Sequence, residues 1–375
     1  MPNSKPNLRV GLIGTGFMGK AHAFGFTNAA RVFDLPVEVE LHTVADIEEQ
    51  AAQSAARAYG FANATTDWRD IIRNPDIDIV SITAPNALHK EMSLAAIAAG
   101  KNVYCEKPLA PLAGDARKMA EAAETAAVKT QVGFNYLCNP MFALARDMIA
   151  AGELGEIRGY RGLHAEDYMA DENAPFTFRH DPAGGGALAD LGSHTLATAE
   201  FLLGPISEVF GDCVNVIAER DDGNGGRRPV EVDDVGRAFL RFANGASGSI
   251  EGNWIATGRK MQHDFEVYGS KGSLFFTGER LNELHHYSVD TRTGRRGFIK
   301  IEAAPDHPPY GEFIVAPGHQ IGFNDLKTIE VAGYLSAIAG ASDEPFNFRA
   351  GLRIQSLVEE IQASSREQKW RDVTH

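Results

Sequence analysis

The chain is poor in cysteine. It has three in 375 residues, Cys105, Cys138 and Cys213, an odd number with no C-x-x-C pair and no metal-ligand spacing. That pattern argues against a disulfide framework, points to no metal, and is read as three reduced thiols in a cytoplasmic setting. No apolar run approaches the roughly 18 residues a membrane-spanning helix needs, so no membrane partner is expected. The polar opening Met1-Pro-Asn-Ser-Lys-Pro-Asn7 lacks the long apolar region of a signal peptide. Basic residues are in deficit, 36 against 50 acidic ones, for a net charge of −14. This argues against a nucleic-acid surface.

What is present is ordinary for a globular protein: 44% hydrophobic and 23% charged residues. The length suggests two domains. Residues 8–13 read as a buried strand, and Gly14-Thr-Gly16-Phe17-Met18-Gly19 follows at once. Residues 20–30 then read as a helix. G-x-G-x-x-G between a strand and a helix is the context of a dinucleotide site. Gly14 would make the tight turn, Gly16 would admit a pyrophosphate, and Gly19 would allow close helix–strand packing. The helix N-terminus would offer free N–H groups to the phosphates.

A second strand, 37–45, ends at Asp46. A carboxylate there can bind the adenosine ribose hydroxyls and repel a 2′-phosphate, which favours NAD over NADP. The same side chain could instead cap the helix that starts near Glu48. Helices at 51–59, 65–73, 86–99 and 114–127 alternate with strands at 78–83, 102–105 and 130–134. This pattern predicts an α/β Rossmann domain, a doubly wound parallel sheet with its cofactor at the carboxyl ends of the strands. Those ends carry Thr83-Ala-Pro85-Asn86-Ala-Leu-His89, Glu106-Lys107-Pro108 and Asn135-Tyr136. His89 reads as a pocket-wall residue with no proton-transfer role. Further on, a glycine run at 184–186 precedes Asp190 and His194, which are four residues apart and would share a helix face as an acid/base pair.

In this order, Gly14–Gly19, residues 83–89, Cys105-Glu-Lys-Pro108, Gly133-Phe-Asn-Tyr136 and residues 184–194 resemble the Gfo/Idh/MocA oxidoreductases. Leu137 departs from the arginine many members carry there. The resemblance implies a catalytic trio of Lys107, Asp190 and His194, and a cis peptide before Pro108. It implies a cofactor site built from Gly14, Gly16, Phe17, Met18, Gly19, Asp46, Thr83, Pro85, Asn86, His89, Glu106, Lys107 and Asn135. The expected reaction is NAD-dependent oxidation of a secondary hydroxyl on a sugar, sugar derivative or cyclitol. His194 would accept the proton, Lys107 would stabilise the developing charge, and Asp190 would orient the substrate or the imidazole. Tyr136, His164, Asp167, Arg179 and His319 are further candidate substrate contacts. The stretches Arg295-Arg-Gly-Phe298, Pro308-Pro-Tyr-Gly311 and 324–339 resemble the sugar and anhydrosugar dehydrogenase branch. Two rivals remain: an NAD-dependent glycosidase with transient oxidation, and a non-catalytic dinucleotide-binding regulator.

The second half changes character. Strands are expected at 155–164, 207–218, 235–242, 246–254, 262–269 and 273–277, with a helix at 190–203 and a hairpin or loop at 221–228. This predicts an α+β domain with a large, mostly antiparallel open sheet. The expected division is residues 1–135 for NAD binding and 136–375 for substrate binding and oligomerisation. Closing helices at 325–339 and 351–365 would pack back on the first domain. Leu352, Ile354, Leu357, Val358 and Ile361 recur at helical spacing and read as core. In the resembled family the open sheet face is a subunit interface, so a homo-oligomer, dimer or tetramer, is expected. Residues 290–323 read as an irregular segment that covers the substrate, and His285 and His286 as surface residues.

Overall fold

The computed structural model describes residues 5–343 and 346–373, so the first four residues of the polar opening lie outside it. Among the described residues, no helix is long and apolar enough to cross a membrane. The chain forms two compact units, Met1–Cys138 with Gly322–Leu352, and Asn139–Ile321 with Arg353–His375.

The first unit begins β1 (Asn7–Ile13), α1 (Phe17–Val32), β2 (Glu38–Ala45), α2 (Glu49–Tyr59), β3 (Asn63–Thr65) and α3 (Trp68–Arg73). It continues with β4 (Ile79–Ile82), α4 (His89–Ala98), β5 (Asn102–Cys105), α5 (Ala113–Ala126) and β6 (Thr130–Val132). The second unit contributes α6 (Pro140–Ala150), β7 (Ile157–Ala165), α7 (Ser193–Leu203), β8 (Ile206–Val214), β9 (Glu219–Asp221) and β10 (Arg227–Pro229). It adds β11 (Val235–Phe242), β12 (Ser247–Asn253), β13 (Gln262–Gly269), β14 (Gly272–Phe276), β15 (Glu283–Ser288), β16 (Ile299–Glu302) and α8 (Tyr310–Phe313). The chain then returns to the first unit with α9 (Phe323–Ile338). α10 (Phe348–Glu367) begins in the first unit and ends in the second, where β17 (Arg371–Asp372) follows.

The first unit is a six-stranded sheet in the order β3-β2-β1-β4-β5-β6, and every pair is parallel. A parallel sheet is covered on both faces, so its strands read as continuous apolar runs. β4 accordingly buries all four of its residues. Val10, Leu12, Val44, Ile79 and Tyr104 form the core with Phe26 of α1 and Val331 and Leu335 of α9. The strand order reverses between β1 and β4, the switch point at which such sheets bind ligands.

The second unit is built on a nine-stranded sheet in the order β16-β15-β14-β13-β7-β12-β11-β8-β17. The β12–β7 pair is parallel and the others are antiparallel. β11 alternates strictly, burying Ala238, Leu240 and Phe242 and exposing Arg237, Phe239 and Arg241. One face of the sheet therefore packs inward and the other meets solvent. The five expected core positions of α10 are all buried.

Several local expectations change. Residues 65–73 are not one helix: Thr65 ends β3, and the Asp67 carboxylate accepts from the Arg69 amide at 3.0 Å to cap α3. Residues 290–323 are not wholly irregular, because β16 adds an edge strand to the sheet and α8 a helical turn. His285 and His286 lie on β15 and are half-buried rather than surface residues. α6 had no counterpart in the sequence reading, although Asn139 caps it and Pro140 opens it. The expected helix from 190 is a π-helical segment, Leu188–Gly192, running into α7.

Candidate active site

At the β1–α1 turn, Gly14 has φ of +97°. A Cβ on Gly19 would sit 2.2 Å from the Gly14 carbonyl oxygen, so that position admits only glycine. A Cβ on Gly16 would meet nothing within 4 Å. Gly16 is also the N-cap of α1 and supplies no side-chain cap, which leaves the first amides of the helix to an outside acceptor. The Thr83 hydroxyl donates to the carbonyl oxygens of Ile13 and Gly14, both at 3.0 Å, and pins the turn to the end of β4. A pyrophosphate fits this loop.

The Asp46 carboxylate, at the end of β2, accepts from the amide and hydroxyl of Thr15 and from the Glu48 amide at 3.2 Å. It supports the glycine loop, and Glu48 is the N-cap residue of α2 without a side-chain bond. Phe17 is 72% exposed and packs on Phe323 with ring centroids 5.3 Å apart. Tyr136 meets the same Phe323 ring at 6.1 Å. Met18 and Asn86 are half-buried, Pro85 is exposed and Asn135 is buried.

Lys107 follows β5 and is half-buried, with a cis peptide to Pro108. His89, an expected pocket-wall residue, is fully buried. Its two ring nitrogens lie 2.9 Å from the Pro108 carbonyl oxygen and 2.8 Å from that of Ala84. Burial pushes its pKa down. The neutral ring can donate to one of the two carbonyls and braces the turn around Lys107. Glu106 is also buried, and its carboxylate accepts from the Lys107 amide at 3.2 Å, from Lys327 Nζ at 3.0 Å, and lies 2.8 Å from His22 Nε2.

In the second unit, Asp190 lies on the π-helical segment and His194 on the first turn of α7. π-Helical insertions of this kind are frequent at functional sites. Asp190 Oδ2 accepts from the Tyr168 hydroxyl at 2.6 Å and from Arg179 Nε at 3.1 Å. The Arg179 guanidinium sits 4.7 Å from the Phe178 ring centroid. The buried His194 ring lies 5.4 Å from His164 and 6.0 Å from His263, and the last two stack at 4.8 Å. Burial, with His164 beside it, holds His263 well below the ordinary histidine range.

Two expected substrate contacts are otherwise engaged. His164 is buried, with Nε2 3.0 Å from Glu166 Oε1, and stands beside His194 rather than at a surface. Asp167 is ion-paired to Lys260 at 2.7 Å and accepts from the Gly258 amide. His319 is exposed, and its carbonyl accepts the Tyr310 hydroxyl. Tyr168, His22, Lys327 and His263 were not singled out in sequence. Lys327 and Glu330 do carry a signal, two charges three residues apart on a helix otherwise rich in buried apolar residues. Among the described residues no cluster of His, Cys, Asp and Glu can hold a metal ion.

Comparison with known proteins bears on these arrangements. Residues 8–134 match the model of an oxidoreductase family with an NAD-binding Rossmann fold, and residues 142–275 match the GFO/IDH/MocA C-terminal domain. The levoglucosan dehydrogenase of Pseudarthrobacter phenanthrenivorans is 38% identical, and the match covers 98% of both chains. A levoglucosan dehydrogenase structure in complex with NADH and levoglucosan superposes with a TM-score of 0.94 at 38% identity, over 98% of this chain and 100% of the other. An NAD-binding oxidoreductase structure from Klebsiella pneumoniae gives a TM-score of 0.93 at 40% identity, again over 98% and 100%.

Proposed function

The chain belongs to the Gfo/Idh/MocA oxidoreductase family, and on that premise we propose that it oxidises a ring hydroxyl of a sugar or anhydrosugar to the ketone, with NAD as acceptor. The observation that carries this proposal is the end-to-end likeness to an enzyme that binds NADH and levoglucosan in one complex. NAD, when bound, supplies the hydride acceptor. Gly14–Gly19 and the free amides of α1 hold the pyrophosphate, while Phe17, Met18, Thr83, Pro85, Asn86 and Asn135 border the cofactor. Asp46 meets the adenosine ribose hydroxyls while keeping its hold on Thr15.

His194 accepts the hydroxyl proton of the substrate. The ring is buried 6.0 Å from that of His263, and an imidazole is the side chain suited to accepting a proton near pH 7. Lys107 donates a hydrogen bond to the same oxygen and stabilises its negative charge as the C–H bond breaks. Asp190 orients the sugar, because Tyr168 and Arg179 fix its carboxylate in one rotamer. Arg179 and Tyr136 contact the remaining hydroxyls.

The open face of the nine-stranded sheet, which exposes Phe239 at 61% and Trp370 at 39%, is the surface through which copies of the chain associate. A cytoplasmic location is part of the same proposal. NADH formation across levoglucosan, other anhydrosugars, aldoses, glucosides and inositols tests the activity. NADH accumulating with an anhydrosugar or aldose supports it. Sugar release from glucosides without net NADH would replace it with a glycosidase, and NAD binding without turnover would replace it with a regulator.

A further inference from the structure

Beneath the Lys107 turn lies a buried polar network whose members the proposed reaction does not use. Lys327, on α9, is fully buried and spends all three ammonium protons: on the Tyr104 hydroxyl at 3.0 Å, Glu106 Oε1 at 3.0 Å and Glu330 Oε2 at 2.7 Å. The Tyr104 hydroxyl donates in turn to Glu330 Oε2. On the other side of Glu106, His22 from α1 places Nε2 2.8 Å from Oε1 and Nδ1 2.8 Å from the Ser81 hydroxyl of β4. Glu330 Oε1 is buried without a hydrogen-bond partner among the described residues. A Cβ at Gly133 would lie 2.4 Å from Glu106 Oε1, so the chain keeps that place empty for the carboxylate.

The protonation states follow from the partners. Burial alone would push the Glu106 carboxyl up, but Lys327 and His22 beside it hold it below the ordinary range. Burial and the nearby Lys327 charge hold His22 at about 4. A neutral His22 facing a carboxylate carries its proton on Nε2, and Nδ1 accepts from Ser81. Lys327, paired with Glu106 and Glu330, stays charged despite its burial. Burial raises Glu330, and Lys327 opposes that only in part. Lys107, His89, Cys105 and Cys138 are further titratable groups facing this network.

Such an arrangement costs desolvation energy, and buried ion pairs are weak contributors to stability. What it does achieve is geometric. One Glu106 oxygen is fixed by Lys327 and His22, and the other receives the Lys107 amide at 3.2 Å. The same chain of bonds joins α1, the helix that follows the glycine loop, to the turn that carries Lys107. We propose that Lys327 is a positioning residue, which locks the Glu106 carboxylate and through it sets the backbone, and so the reach, of Lys107. This rests on the catalytic role given to Lys107 above.

The test uses Lys327→Met together with the double variant Lys327→Met/Glu330→Gln. The double variant removes a buried anion along with the cation and so keeps a folded protein available. In cofactor-free protein, the Lys107 amide proton resonance should shift and the His22 ring should titrate at higher pH. In the oxidation assay, kcat should fall about 10- to 100-fold, the usual cost of a small misplacement of a reacting group. KM for the sugar should stay within about threefold, since ground-state binding is untouched. Lys327→Arg, which keeps a cation, should recover part of kcat. A folded variant without Lys327 that keeps the wild-type kcat, or an unmoved Lys107 amide resonance, overturns the proposal. Wild-type turnover in Lys107→Ala would instead refute the role of Lys107 itself, and the resonance measurement would still report on the network.

Discussion

Asp233 makes a sharp prediction about stability. It precedes β11 and is almost fully buried, and its carboxylate accepts from the Leu188 amide at 2.8 Å. Its carbonyl accepts from the Ala187 amide at 2.9 Å. It thus anchors the start of the segment that carries Asp190 and His194. Burial, reinforced by the neighbouring Asp234, raises its pKa from 3.8 to about 7. Between these two values the folded protein holds a proton that the unfolded chain has released. The folded state therefore binds more protons, and stability falls as pH rises through that window. Each pH unit is worth about 1.4 kcal/mol, so the window of 3.8 to about 7 contributes on the order of 4 kcal/mol. Asp233→Asn cannot titrate and keeps an acceptor for Leu188, and should lose this dependence. Urea unfolding followed by the fluorescence of Trp254, which is buried in the same cluster as Ala187, at pH 5 and pH 8 measures it. A variant whose unfolding free energy declines with pH as steeply as the wild type would refute the assignment.

Other outcomes follow from single contacts. Tyr168→Phe removes a donor that fixes Asp190. A hydrogen bond to a charged group is worth about 1.5–3 kcal/mol, so kcat/KM should drop at least about tenfold with NAD affinity unchanged, read by steady-state kinetics. Asp46→Ala should weaken NAD about tenfold and relax the discrimination against NADP, read by titration with both cofactors; an unchanged preference would remove Asp46 from that role. Asp67→Ala deletes the cap of α3 and should cost about 1 kcal/mol without changing kcat. Phe239→Glu on the open sheet face should dissociate the proposed assembly, and sedimentation would report it.

Much of the first unit was legible because its signals are local. A strand, a G-x-G-x-x-G turn and a helix occupy consecutive residues, and their roles depend on backbone shape that glycine alone permits. The place of Lys107 was legible, because it directly follows a short strand and stands between Glu106 and Pro108. What lies beneath it was not, because Lys327 and Glu106 are 221 residues apart in the chain and no spacing rule connects them. The surroundings of His89 and His164 were not legible for a related reason. A histidine near a predicted site looks like a ligand contact, and only the packing reveals a ring that is buried against carbonyls or against another histidine. In the second unit, β11 was legible because one face is wet and the other dry. The expected single helix from 190 was half right: α7 runs from Ser193 to Leu203, but the π-helical turn before it leaves no mark in composition.

The most direct test of the account is single-turnover oxidation of an anhydrosugar by the wild type, Lys107→Ala and His194→Ala, with NAD affinity measured in parallel. The account predicts that both variants bind NAD like the wild type and form NADH at least about a thousandfold more slowly, the scale set by losing a positioned proton acceptor or an oxyanion partner. NADH formation at the wild-type rate in either variant would contradict it.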